Sequence, residues 1–218
     1  MALFGFDKSK MPQGSEILPG RSHAIATADK HFVNGVALKN DWQPPVKTIL
    51  LGMGCFWGAE RLFWSLPGVV VTSVGYAGGT TPNPTYEEVC SGRTGHTEVV
   101  EVVYDESKID LEQILKIFWE EHDPTQIMRQ GNDHGNNYRS AIYVNDEDQL
   151  AIVEQSAKNY ADVLKPRGFG DIATEIKMHI PYYFAEEYHQ QYLAKNPNGY
   201  CGLQGTGVSC PIGLGVKA

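Results

Sequence analysis

The sequence predicts an α/β fold, a single-domain two-layer sandwich in which a mixed sheet packs against helices. Strand-like and helix-like segments alternate along the 218 residues, and this alternation is typical of layered sheets and helices. Hydrophobic residues make up 42% of the chain, enough for one full core with some chain left over. We therefore expect a core domain over 45–196, an irregular N-terminal arm over 1–44 and a mobile, Gly-rich tail over 197–218.

The first half of the core shows apolar strand patterns and two helical segments. The predicted elements are a strand over 46–53, a helix over 55–66, a strand over 69–77, a short helix near 84–90 and a strand over 96–104. Asp110 then begins a longer helix, with Gln113 in the capping-box position. Its apolar face follows the helical period and consists of Leu111, Ile114, Leu115, Phe118 and Trp119.

A polar, Gly- and Asn-rich segment over 123–138 opens the second half, and loops of this length often carry function. After this loop the predicted elements are a strand over 139–144, a helix over 146–164, a strand over 173–178 and a last helix over 185–196.

Charge and composition exclude several classes of protein. The formal net charge is −8 and there is no run of basic residues, which argues against a nucleic-acid partner. No apolar stretch approaches the roughly 20 residues that span a bilayer, and the first residues do not resemble a signal peptide. We therefore expect a cytoplasmic protein, in which four cysteines are not a structural disulfide framework. They lie far apart and form no Cys-x-x-Cys pair, so a zinc site is not expected either.

Cys55 lies where an apolar strand ends and a helix begins. The helix dipole and the unpaired N–H groups at a helix N-terminus favour a thiolate, so Cys55 is a candidate nucleophile. A buried helix-cap cysteine is the alternative. The glycines at 52, 54 and 58 also resemble a dinucleotide-binding turn, but Phe56 and Trp57 crowd that turn and no acid follows at the ribose position.

Glu98 is a candidate general acid. Strand alternation places it on one face with His96, Val100, Val102 and Tyr104, whereas Glu101 lies on the other. Apolar surroundings raise the pKa of a carboxyl group and can keep it protonated near neutrality. A carboxylate that reaches solvent near the strand end is an equally good interpretation.

Cys201 and Cys210 lie on the tail among glycines. Two mobile thiols near a reactive one suggest a relay of thiol–disulfide exchanges, whereas the alternative is two exposed cysteines without a role. Cys90 is best interpreted as a small buried apolar residue.

Four motifs resemble the peptide methionine sulfoxide reductases of the A type (MsrA). They are GCFWG at 54–58, PTYEEVCSGRTGHTE at 84–98, RQGNDHGNNYRS at 129–140 and GYCG at 199–202. Their order along 46–210 makes the resemblance specific. The family fold that it implies is an α/β layered core with a mixed sheet.

The resemblance also implies a role for each matching residue. Cys55 would attack the sulfoxide sulfur, and Glu98 would protonate the sulfoxide oxygen, to which Tyr86 and Tyr138 would donate hydrogen bonds. Cys201 would resolve the Cys55 sulfenic acid, and Cys210 would pass the disulfide to thioredoxin. The residues that would bind the substrate are Phe56, Trp57, Asp133, His189 and Tyr200.

The same resemblance implies the S epimer of methionine sulfoxide, free or in proteins, as substrate, with no metal or organic cofactor. We expect a monomer. Asn136 and Asn137 stand where Thr-Gln is expected, which weakens a role for Asn137, and Cys210 lies one residue further from Cys201 than expected.

Two other functions use the same residues. A thiol peroxidase could form the same Cys55 sulfenate, but it has no need of the aromatic pair Phe56 and Trp57. A peptide-binding module could use those aromatics, but it gives no reason for the two tail cysteines. A comparison of the turnover of hydrogen peroxide with that of a sulfoxide peptide distinguishes the peroxidase from the reductase. Unchanged peptide affinity and function in Cys55→Ala would indicate the peptide-binding module.

Overall fold

The computed structural model describes residues 6–212, and six strands form its main sheet. In sheet order these are β7 (Glu175–Met178), β6 (Ala141–Val144), β1 (Val46–Gly52), β3 (Thr97–Asp105), β2 (Val69–Ala77) and β8 (Tyr182–Phe184). β6 and β7 pair in parallel, and the other neighbours are antiparallel. The expected mixed sheet is therefore confirmed.

Four helices pack against one face of this sheet. They are α1 (Phe56–Phe63), α2 (Tyr86–Cys90), α3 (Leu111–Glu121) and α4 (Glu147–Leu164), while the short α5 (Tyr192–Lys195) packs against α1. Leu51 of β1 and Val102 of β3 are fully buried in one cluster with Phe63 of α1, Phe118 of α3 and Val153 of α4. Burial of this apolar surface is the main favourable term in folding, and it confirms the predicted two-layer architecture.

Part of the N-terminal arm covers the other face of the sheet. Leu38 is buried against Val71 of β2 and Val103 of β3. Apart from a 3-10 turn at Gly14–Glu16 and one bridge between Lys30 and Ala37, the described part of the arm is irregular. None of the helices within residues 6–212 is long and apolar enough to cross a membrane.

Most core elements lie where the apolar patterns place them, and β2 has the predicted bounds. The capping box at α3 is also confirmed, since Asp110 and Gln113 each accept a backbone N–H of the other. The segment over 123–138 is mainly loop, but it contains an unpredicted hairpin of β4 (Arg129–Gln130) and β5 (Asp133–His134). β8 was also missed.

The prediction of one helix over 185–196 is wrong. A 3-10 turn at Glu187–His189 is separated from α5 by Gln191, whose φ of 50° is left-handed. Gln191 adopts this conformation with its backbone N–H and side-chain amide donating to the buried Glu60 carboxylate, at 2.8 and 2.7 Å. The hydrogen bonds that the buried Glu60 carboxylate requires therefore break the helix that the apolar pattern predicts.

The described part of the tail, for which the sequence predicts mobility, makes hydrogen bonds to α3 and α4. The Tyr160 hydroxyl of α4 lies 2.8 Å from Thr206 Oγ1 and 3.0 Å from the Val208 carbonyl. The Cys210 N–H donates to the Glu120 carboxylate of α3 at 2.8 Å. Residues 1–5 of the predicted arm and 213–218 of the predicted tail lie outside the described residues.

Candidate active site

Cys55 is the N-cap residue of α1 and lies three positions after the end of β1. Gly54 makes this turn possible, since its φ is +93° and a Cβ there would lie 2.7 Å from the Gln130 side chain. The thiol is buried and free. Burial and then the Glu98 carboxylate raise the pKa of Cys55, against the N–H groups of Trp57 and Gly58, which lower it. The helix terminus lowers the pKa of Cys55, as expected from the sequence. In the absence of substrate, however, burial has the larger effect and favours the protonated thiol.

Glu98 of β3 lies beside this turn. Its Oε2 accepts the Phe56 N–H at 3.0 Å, and the residue is only 1% exposed. Burial raises the pKa of Glu98 to about 8, although the Phe56 N–H and the Asn137 side chain lower it. Its other oxygen, Oε1, is buried without a hydrogen-bond partner. Of the two interpretations from sequence, the structure supports a protonated acid and not a solvated carboxylate.

Two tyrosines are near Glu98. Tyr86 begins α2, and Tyr138 ends a 3-10 turn at Asn136–Tyr138. Burial, and after it the Glu98 carboxylate, raises the pKa of both phenols. Both therefore keep their protons near neutrality and can donate hydrogen bonds.

Aromatic rings form one wall of the site. The His189 ring lies 5.1 Å from Phe56 and 4.4 Å from Tyr86, centroid to centroid. Trp57 Nε1 donates to His189 Nδ1 at 3.0 Å, and burial lowers the pKa of His189 to about 4. His189 is thus neutral, and the wall carries no cation.

Asp133, Tyr200 and Cys201 form the more exposed side. The Tyr200 hydroxyl donates to the Asp133 carboxylate at 3.2–3.3 Å. Cys201 is exposed, and its sulfur lies over the first turn of α1, where a Cβ on Gly58 would be 2.8 Å away. Burial, and after it the Asp133 carboxylate, raises the pKa of the Tyr200 phenol.

Cys210 departs from the prediction of an accessible tail thiol. It is buried in the main core cluster, at 6% exposure. Burial, followed by the Glu120 carboxylate, raises the pKa of Cys210 to about 11. The glycine content of the tail gave no sign of this packing.

Sequence reasoning missed three neighbours of the site. Cys90 is half-buried beside the Tyr86 hydroxyl, so it belongs to the edge of the site and not to the core. Asn137 is buried next to Glu98. Glu186 accepts the Tyr86 N–H at 2.9 Å and the Tyr76 hydroxyl at 2.8 Å. Glu186 was not identifiable, because it reaches the site through a sequence separation of about 100 positions.

The residues described contain no cluster of three or more side chains suited to a metal ion. A buried thiol, a protonated carboxyl group and a second thiol over the same helix turn define a cysteine oxidoreductase site.

Comparison with known proteins agrees with this class. The family model for peptide methionine sulfoxide reductase matches residues 47–209. MsrA of Brucella anthropi is 61% identical over 207 residues, covering 95% of each chain. MsrA 1 of Caulobacter vibrioides is 60% identical over 208 residues, covering 95% of this chain and 96% of its own. The chain belongs to the peptide methionine sulfoxide reductase family, type A, and is an oxidoreductase.

Solved structures show the same fold. Methionine sulfoxide reductase A of Corynebacterium diphtheriae has a TM-score of 0.83 at 47% identity, covering 92% of this chain and 98% of its own. Reduced Mxr1 of Saccharomyces cerevisiae has a TM-score of 0.66 at 35% identity, covering 74% and 92%. Mxr1 in complex with Trx2, at 22% identity and a TM-score of 0.50, covers 77% and 96% and shows the fold alone.

Proposed function

We propose that the chain reduces the S epimer of methionine sulfoxide, free or in proteins, with Cys55 as nucleophile and Glu98 as general acid. The observation that carries this proposal is the unpartnered Glu98 Oε1, buried beside the helix turn that begins at Cys55. With a pKa raised to about 8, Glu98 is mostly protonated at neutral pH. It can therefore donate the proton that the sulfoxide oxygen needs.

The reaction transfers one oxygen from methionine sulfoxide to Cys55. A sulfoxide oxygen is a poor leaving group until it is protonated, so Glu98 donates while the Tyr86 and Tyr138 hydroxyls hydrogen-bond to it. The Cys55 sulfur attacks the sulfoxide sulfur and forms an S–S bond, and the proton that the thiol loses replaces the one that Glu98 donates. The protonated oxygen passes to the Cys55 sulfur as the S–O and S–S bonds to the methionine sulfur break, so methionine leaves and Cys55 becomes a sulfenic acid. Since burial raises the pKa of free Cys55, the thiol loses its proton only as the sulfoxide enters the site.

Substrate recognition is assigned to the aromatic wall and the exposed side. Phe56 and Trp57 hold the substrate methyl group, and His189 lines the same pocket as a neutral ring. Asp133 and Tyr200, joined by their hydrogen bond, orient the rest of the sulfoxide.

Recycling uses the tail. Cys201 attacks the Cys55 sulfenic acid, forming a disulfide and releasing water. Cys210 then exchanges with this disulfide, which frees Cys55 and presents a Cys201–Cys210 bond to thioredoxin. Because Cys210 is buried against α3, this exchange requires the tail to detach from Glu120.

The cellular setting fits this cycle. We assign the protein to the cytoplasm, where thiols stay reduced. The protein acts as a monomer. It requires no metal or organic cofactor, since three thiols and a reductant complete the cycle. Its role is repair of the reversible oxidation of methionine.

The test is thioredoxin-coupled turnover of the two separated epimers of a methionine sulfoxide peptide, with hydrogen peroxide as a third substrate. We expect turnover of the S epimer by the wild type and none by Cys55→Ser. Equal turnover of both epimers would contradict the stereochemistry, and faster turnover of peroxide would indicate a thiol peroxidase instead.

A further inference from the structure

Arg61 touches the thiol that resolves the sulfenic acid. Its Nη2 donates to Cys201 Sγ at 3.3 Å, across 140 positions of sequence. Arg61 lies on α1, two positions before its last residue, while Cys55 caps the start of the same helix. The helix that carries the first thiol therefore also supplies the cation that contacts the second.

Gly58 gives the second observation. A Cβ at Gly58 would lie 2.8 Å from Cys201 Sγ and 3.2 Å from Leu203 Cγ. The absence of a side chain at Gly58 lets the sulfur lie directly on the first turn of α1, with Leu203 packed beside it. Gly58 and Arg61 are three positions apart, so they lie on one face of the helix.

We propose that Arg61 is a positioning residue for Cys201: it holds the thiol over α1 and stabilises its thiolate during attack on the Cys55 sulfenic acid. This inference rests on the proposed function. The Cys201 sulfur supplies an electron pair to the Cys55 sulfur, so an S–S bond forms and the S–O bond breaks. The hydroxide takes one proton and leaves as water. The two cysteines are then oxidised together as one disulfide.

The other groups around Cys201 do not replace this cation. Tyr200, its neighbour in sequence, is a phenol whose hydroxyl donates to Asp133. Asp133 is an acid and Cys55 a thiol, so neither stabilises a second negative charge. Arg61 supplies the positive charge, and a cation beside a thiol favours the nucleophilic thiolate.

The test separates the two chemical steps without any reductant. Enzyme and the S epimer of a sulfoxide peptide are mixed and quenched at intervals, and methionine, trapped sulfenic acid and disulfide are counted. The variants are Arg61→Gln and Arg61→Lys. Arg167→Gln, on the exposed 3-10 turn Lys165–Arg167, removes the same charge away from Cys201 and is the control.

We expect methionine to form within about twofold of the wild-type rate in every variant. Disulfide formation in Arg61→Gln should be about threefold to tenfold slower at pH 7, since the attacking sulfur loses the cation that holds it over α1. Arg61→Lys should recover part of the rate, and Arg167→Gln should match the wild type.

Several results would overturn the inference. Disulfide formation by Arg61→Gln at the wild-type rate, or no recovery of the rate in Arg61→Lys, would show that the positive charge of Arg61 does not act on Cys201. Equal slowing of methionine formation would indicate damage to α1. A wild type that forms no methionine would overturn the proposed function, and this inference with it.

Gly58→Ala tests the position of Cys201 independently of charge. The added methyl should displace the sulfur and slow disulfide formation by about tenfold or more, while alanine itself favours the helix. Gly170→Ala is the control, because a Cβ there meets only the Thr125 Cβ, at 4.0 Å. If Gly58→Ala forms the disulfide as fast as Gly170→Ala, the position over α1 is not required and the inference fails.

Discussion

Replacing Glu98 with glutamine tests the assignment of the proton donor. Glutamine has nearly the same size as glutamate, and its side-chain oxygen can still accept the Phe56 N–H, which lies 3.0 Å from Glu98 Oε2 in the wild type. The start of α1 and the position of Cys55 should therefore be preserved. What the substitution removes is the proton that burial holds on Glu98, with a pKa of about 8.

The expected loss follows from that pKa. At pH 7 a group with a pKa of about 8 is roughly 90% protonated, so nearly every wild-type molecule carries the proton. Removing a general acid typically slows the chemical step about 10²–10⁴-fold, equivalent to roughly 3–5 kcal/mol of transition-state stabilisation. We expect Glu98→Gln to fall in this range.

The assay is single-turnover formation of methionine from the S epimer, without reductant. Glu101→Gln is the matched control, because Glu101 is on the same strand but the opposite face, where it accepts the Ser73 hydroxyl at 2.9 Å. Burial likewise raises the pKa of Glu101, to about 7. A rate for Glu98→Gln within threefold of the Glu101→Gln rate would refute the general-acid role.

Three further predictions concern stability and recycling. Because the pKa of Glu98 is raised in the folded state, the protein binds this proton more tightly than the unfolded chain does. Glu98 should therefore lower the free energy of unfolding by about 1.2 kcal/mol as the pH rises from 6.5 to 7.5. Urea titrations should show a smaller loss in Glu98→Gln, and equal losses in the two proteins would contradict this. Trp57→Phe keeps an aromatic ring but leaves the buried His189 Nδ1 without its donor, which should cost about 1–3 kcal/mol of unfolding free energy; an unchanged urea midpoint would argue against that bond. Without reductant the wild type should form a first methionine quickly and a second slowly, because Cys210 must first leave its buried position. Cys210→Ser should form only one methionine. Equal yields from the two proteins would exclude the exchange of Cys210 with the Cys55–Cys201 disulfide.

Local patterns were sufficient for most of the fold because they report short-range physics. The capping box before α3 and the apolar period behind it involve residues within nine positions of Asp110. The alternation along β3 likewise separates Glu98 from Glu101, and the structure places these carboxyl groups on opposite faces.

The remaining features depend on contacts that are distant in sequence. The break at Gln191 satisfies Glu60, 131 positions away. The burial of Cys210 depends on Glu120, 90 positions away. The pKa of Cys55 combines a local helix terminus, which lowers it, with burial by the surrounding fold, which raises it more. The sequence points to candidate reactive residues, but the direction and size of such pKa shifts follow from tertiary packing.

The central claim is that Cys55 takes the oxygen from the sulfoxide. The most direct measurement mixes a molar excess of the S epimer with enzyme in the absence of reductant, and counts methionine formed against thiols lost. We predict that the wild type yields a first methionine with the loss of two thiols, that Cys201→Ser yields one methionine and a trappable sulfenic acid, and that Cys55→Ser yields none. Methionine formation by Cys55→Ser above a few per cent of the wild-type rate would contradict the account.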